Sequence, residues 1–283
     1  MNMKKLGTIL FGCILMGTVL VGCGGQQGNK AGDKDTTAKI GTITHLNVSE
    51  ARFNDIMKKI DDEAGVKLYH DYGYYDRLAS MLMAFESNSV QEMSLYNSVA
   101  QYLMDRNDKL IIVEHKNMKL EDSFCCAVRK EDQQLKAELD KAIGDMKQDG
   151  TLDKLIKDYI TDLKKDEEPP VVPVSGTNGK KLKIAITGDL PPLDLVLADG
   201  TPAGFNTAVL SEIGRRLGRD IELVQVDSAA RAAALESKRV DVVFWVAVPK
   251  GDSKVPADID KPQNMEMTTP YYQDKIVHVG LKK

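Results

Sequence analysis

From Lys39 onward the chain alternates between two rhythms. Short runs of branched apolar residues give way to longer stretches in which apolar residues recur every three or four positions, the periods of strand and helix. Lys39-Ile40-Gly41-Thr42-Ile43-Thr44 predicts a strand. Asn47-Val48-Ser49-Glu50 has the form of a capping box and predicts a helix running to residue 60. Further strands are expected over 66–69, 90–95, 110–113 and 124–128, with helices over 76–87, 97–105, 133–148 and 152–163. The pattern then repeats: a strand over 182–187, an Asp199-Gly200 turn, a helix over 207–217 and a strand over 221–226. Asp227 or Ser228 caps a helix through residue 237. Residues 240–248 are apolar throughout, as in a strand covered on both faces, and a last strand is expected over 276–281. Strand–helix alternation of this kind predicts parallel sheets covered by helices, and two α/β lobes is the most economical architecture.

Three stretches fall outside this pattern. At the start, Lys4 and Lys5 precede an apolar run from Leu6 to Val21, shorter than the ~20 residues of a spanning helix. The run ends in Leu20-Val21-Gly22-Cys23, a bacterial lipoprotein signal with its lipobox. Cleavage before Cys23 and lipidation of its sulfur are expected, placing a folded domain outside the cytoplasmic membrane on a lipid anchor. Residues 24–38 are polar and Gly-rich, a flexible tether. The third stretch, 164–180, holds Glu-Glu-Pro-Pro-Val-Val-Pro-Val, where prolines stop helices and favour extended chain. The expected organisation is therefore 1–22 signal, 23–38 tether, 39–118 one lobe, 119–163 a return strand with two helices, 164–180 linker, and 181–283 the other lobe.

Charge and cysteines narrow the function. The formal net charge is −4, and losing the two lysines of the signal makes it −6. A mildly acidic chain without basic blocks argues against nucleic acid as a partner. Of four cysteines, only Cys125 and Cys126 remain in the folded part. They are adjacent, so they point to opposite faces of a strand, and buried free thiols are favoured over a strained vicinal disulfide. His45, His70, His115 and His278 lie far apart and show no metal spacing, so neither metal nor cofactor is expected.

Several motifs carry a family resemblance. Residues 182–186 lead to Pro191-Pro192-Leu193; Asp199-Gly200 leads to Gly204-Phe205-Asn206. Arg216-Leu217-Gly218, Ala234-Leu235-Glu236-Ser237, Val240-Asp241-Val242-Val243 and Thr269-Pro270-Tyr271-Tyr272 follow in order. This half resembles the first lobe of bacterial extracellular solute-binding proteins of family 3, which deliver polar amino acids to ABC transporters. Lys39-Ile40-Gly41, residues 83–92, Ser123-Phe124-Cys125-Cys126-Ala127-Val128 and residues 135–156 resemble that family's second lobe, return strand and C-terminal helices. The resemblance implies a type II periplasmic-binding-protein-like clamshell with its lobes in circularly permuted order.

The resemblance also implies a ligand between the lobes, with contacts from strand ends and helix starts. It points to Asp189, Leu193, Asn206 and Trp245 on one lobe, and to Thr44, His45, Asn47, Ser94, Tyr96 and Asn97 on the other. The sequence departs from the family's pattern at three positions. Leu193 replaces an aromatic residue. Val248-Pro249-Lys250-Gly251-Asp252 lacks the usual arginine clamp. Tyr96 stands where an acid usually pairs with the ligand ammonium. Arg231 has two readings: a substitute anion clamp, or a solvated arginine pairing with Asp227 or Glu236, which the ordinary chemistry of exposed arginines favours. Trp245, the one tryptophan, reads as core or as cleft wall, with its place at a strand end tilting toward the wall. The expected function is a monomeric, non-enzymatic, lipid-anchored receptor that hands a small polar solute to an ABC permease. The alternatives are a sensor serving a signalling partner and a cyclohexadienyl-dehydratase-like enzyme on the same fold.

Overall fold

The computed structural model describes residues 38–44, 49–64, 71–114, 120–165, 167–172, 179–250, 256, 259 and 261–282. The expected signal, Cys23, His45, Asn47 and the strand over 66–69 lie outside these residues. In chain order the first half comprises β1 (Lys39–Ile43), α1 (Glu50–Ala64), β2 (Asp71–Tyr75), α2 (Leu78–Glu86), β3 (Glu92–Tyr96), α3 (Asn97–Arg106) and β4 (Leu110–Val113). Then come β5 (Leu120–Arg129), α4 (Gln133–Gln148) and α5 (Thr151–Ile156), which widens into a π turn at Lys157–Thr161. The second half holds β6 (Lys181–Ile186), β7 (Asp189–Leu190), β8 (Asp194–Val196), β9 (Pro202–Ala203), α6 (Phe205–Leu217) and β10 (Asp220–Gln225). It closes with α7 (Arg231–Glu236), preceded by a 3-10 turn at Ser228–Ala230, and then β11 (Val242–Pro249), β12 (Met265–Met267) and β13 (Tyr272–Leu281).

The fold is a two-lobed mixed α/β arrangement. Among the described residues a ten-stranded sheet runs in the order β10-β6-β11-β5-β13-β3-β1-β2, with β12 beside β5 and β4 beside β13. Its two ends are the expected parallel sheets. β10, β6 and β11 run parallel in one lobe; β2, β1 and β3 run parallel in the other. The centre corrects the expectation, because β5 and β13 are antiparallel to each other and join the two ends into one sheet. Each has ten residues, more than the mode of about five or six, which is the length needed to serve both lobes. The first half of β13 pairs with β5, and its second half pairs with β3 on one side and β4 on the other.

β11 has the burial its composition predicts. Val242 and Phe244 pack in the large core with Leu139, Ile143, Val209 and Ile213 of α4 and α6. Val243 and Val246 face a second cluster with Leu235 of α7, Val226 and Met265. Apolar helices therefore cover both faces. Cys125 and Cys126 in β5 are buried free thiols, and burial pushes the Cys125 thiol up to about 12.

Residues 167–172 of the expected linker are extended and bound to the lobe they precede. Val172 N–H donates to Pro202 O at 3.3 Å, Gly204 N–H donates to Pro170 O at 3.2 Å, and Val172 is buried. Gly204 occupies φ +92°, and a Cβ there would lie 2.6 Å from Pro192 O, so the turn into α6 requires glycine. No helix among the described residues is long and apolar enough to cross a membrane.

Candidate functional site

The lobes touch along a seam. Met57 of α1 packs on Ile259, and Arg77, just before α2, pairs with Asp227 at 2.6 Å. Asp189 sits at the start of α2, where the backbone N–H groups of Leu78 and Ala79 favour its charged form; burial nevertheless raises its pKa to about 6. Behind this seam lies a cavity of about 100 Å³ walled by both lobes. Phe53, Met57, Tyr72, Leu95, Leu120 and Ile276 make much of its wall apolar. Its polar groups include Thr44, Ser94, Tyr96, Asp122, Arg231, Trp245 and His278.

β11 places Trp245 through a break in its pairing. Val243 is opposite Ala127 and Val246 opposite Cys125, so one extra residue is accommodated between them. Trp245 takes up the excess with φ +64°, a left-handed conformation that costs a side-chain-bearing residue about 1–2 kcal/mol. Its ring lies 5.7 Å edge-on from Tyr96 and 5.9 Å from Phe124 in a stacked pair, and its Nε1 has no hydrogen-bond partner.

Arg231 fixes this break. Its Nη1 donates to Trp245 O at 2.6 Å, its Nε donates to Ser228 O at 3.2 Å, and its guanidinium carbon is 5.1 Å from the Trp245 ring centre. The side chain is 3% exposed. The solvated surface pair favoured from sequence is thereby overturned: Asp227 is taken by Arg77, and Arg231 turns inward to the carbonyls of Ser228 and of Trp245 at the break in β11. Lys250, in the stretch that lacks the arginine clamp, pairs with Glu121 at 3.0 Å and ties the end of β11 to β5.

On the opposite lobe Tyr96 ends β3, and its hydroxyl donates to Asp122 Oδ2 at 2.8 Å. Burial, then the Asp122 charge, holds the Tyr96 phenol well above its ordinary range. His278 of β13 is 2% exposed, with Nδ1 3.0 Å from Glu92 Oε2.

The residues expected at the site therefore separate into groups. Thr44, Ser94, Tyr96, Arg231 and Trp245 line the cavity together. Asn97 faces a different space, about 450 Å³ between α3, the π turn and Pro192. Asp189 is on the seam. Leu193 and Asn206 are each 1% exposed inside one lobe, where Asn206 Oδ1 accepts the Tyr271 hydroxyl at 3.3 Å. Asp122 and His278 were not anticipated. The signal for Asp122 is a charged pair, Glu121-Asp122, leading into an apolar strand; that for His278 is its place at an alternate position of a strand. Among the described residues no group of three His, Cys, Asp or Glu side chains could hold a metal.

The model of the bacterial extracellular solute-binding proteins, family 3, matches residues 53–162 and 182–279. No curated protein matches the sequence. Among solved structures, the chain is similar to the ligand-binding component of an ABC-type import system from Staphylococcus aureus with zinc bound. That alignment has 11% identity and TM-score 0.43, covering 86% of this chain and 65% of that one. The chain thus spans less than two thirds of the staphylococcal component. The GluR0 ligand-binding core from Nostoc punctiforme in complex with L-glutamate aligns at 11% identity and TM-score 0.38, covering 87% of this chain and 85% of that one. A nutrient-binding protein from Burkholderia cenocepacia bound to methionine aligns at 10% identity and TM-score 0.39, covering 86% and 84%. Likeness at these scores carries no argument about the ligand.

Proposed function

This chain belongs to the bacterial extracellular solute-binding proteins, family 3, and from that premise we propose that it captures a small solute between its lobes and presents it to an ABC permease. The observation that supports this reading is the cavity: Tyr96 and Ser94 from one lobe face Trp245 and Arg231 from the other, so a solute there contacts both at once. A ligand bridging two lobes favours the arrangement in which they meet, and a permease can read that arrangement. The protein acts as a receptor rather than a catalyst. Lipidation at Cys23 anchors it outside the membrane, and the tether reaches the fold at β1.

We further propose that the lobes are permuted. The lobe carrying β1 to β4 precedes, and the lobe carrying β6 to β11 follows, with residues 164–180 as the joint. Family members of ordinary order would begin with the latter lobe. Close termini make such a rearrangement physically tolerable.

Trp245 gives the test a direct signal. Its emission should change when purified protein is titrated with a binding solute, across a panel of amino acids and organic acids, and the same solute should raise the thermal unfolding midpoint. A folded protein that shows neither response to any member of a broad panel would remove the solute-binding reading.

A further inference from the structure

A solute held in this cavity, as the proposed function requires, meets three features that restrict its chemistry. The first is the wall. Phe53, Met57, Tyr72 and Ile276 offer it apolar surface, against which a charge on the solute's body would be desolvated. The second is a fixed positive charge. Arg231 is buried and its guanidinium is held by the Ser228 and Trp245 carbonyls, so its place is set before any solute arrives. The third is a donor. Trp245 is 6% exposed, yet its indole N–H has no hydrogen-bond partner. Buried donors of this kind are ordinarily satisfied, and a tryptophan held in a left-handed conformation at a strand break is costly to keep without a use.

We infer that the solute is a small carboxylate with a branched aliphatic or aromatic body. Its carboxylate accepts the Trp245 N–H beside the Arg231 charge, and its body rests on Phe53, Met57, Tyr72 and Ile276. An α-ammonium group is tolerated but not required, because the Asp122 carboxylate at the cavity already accepts the Tyr96 hydroxyl.

The experiment is calorimetric titration of the full chain with 4-methyl-2-oxopentanoate, phenylpyruvate, L-leucine, L-glutamate and L-arginine. The first three should bind, with leucine and its 2-oxo analogue within about tenfold of each other, and the last two should bind at least about tenfold more weakly. Trp245→Phe keeps a ring but removes the donor. It should weaken binding of 4-methyl-2-oxopentanoate by about 10- to 100-fold while leaving the solute-free unfolding midpoint unchanged or higher. Glutamate or arginine binding while the apolar acids do not would overturn this inference and leave solute binding intact. Unchanged affinity in Trp245→Phe would overturn the assigned contact. Binding by none of the five would also overturn the inference, and the broader panel then decides separately whether the protein binds solutes at all.

Discussion

Arg231 and Trp245 act as one unit. The arginine's charge is stabilised by the Phe244 and Trp245 carbonyl oxygens at the break in β11, and these contacts brace the break. Replacing Arg231 by Met would keep the bulk and leave the Trp245 and Ser228 carbonyls unpaired. The expected cost is about 2–3 kcal/mol in equilibrium denaturation, against well under 1 kcal/mol for a solvated arginine. A change under about 0.5 kcal/mol would return Arg231 to the surface role. The contrast also measures what sequence conveys at this scale. The family resemblance pointed Tyr96, Ser94 and Thr44 of one lobe and Trp245 of the other toward the space between them, and all four line the cavity. Burial of Arg231 was not legible, since it depends on a strand break formed by residues fourteen positions away. Leu193 and Asn206 went inward for a related reason: the Pro191-Pro192 turn folds back over the start of α6, and Asn206 N–H is used by Leu193 O at 2.7 Å.

Elements with a strong period were read closely, α4 above all, where the expected and observed limits coincide. β7, β8 and β9 escaped because strands of two or three residues have no period to detect. Their small sheet depends on Gly204, and Gly204→Ala should cost at least about 2 kcal/mol through the left-handed backbone and the clash with Pro192 O, readable as a lower unfolding midpoint. The same region holds Asp189 against α2. Its folded pKa, about 6, lies above the ordinary 3.8, so between those values the native chain keeps a proton that the unfolded chain has released. Stability therefore falls as pH rises from about 4 to about 6, and the whole penalty, on the order of 3 kcal/mol, is present at pH 7. Asp189→Asn should be more stable than the parent at pH 7 and nearly equal to it at pH 4. A thermal scan in which the difference is the same at both pH values would show that Asp189 does not titrate in this window.

At the scale of the molecule, two lobes were legible from repeated strand–helix units, but their fusion into one sheet was not, because parallel or antiparallel pairing of distant strands leaves no local mark. The junction is aromatic. Phe124 in β5 is fully buried, with Tyr96, Tyr272 and Trp245 around it at 4.7, 5.5 and 5.9 Å between ring centres. Phe124→Ala should cost about 3–5 kcal/mol, more than a truncation within either lobe's edge, and should blue- or red-shift Trp245 emission even without solute. Unaltered emission would place the tryptophan in a different packing.

β13 also governs the order in which the molecule can assemble. Among the described residues, the strands of the lobe carrying β1 to β4 join the rest of the sheet through residues 272–281, which pair with β3 and β4 on one half and β5 on the other. A ribosome makes that lobe first, yet its seat in the sheet is absent until nearly three hundred residues have been joined. β1, β2 and β3 can pair with one another as they emerge, but the outer edge of β3 stays open until β13 has been made, so chaperones that shield unpaired strands should matter more to this protein than to one whose sheet closes strand by strand.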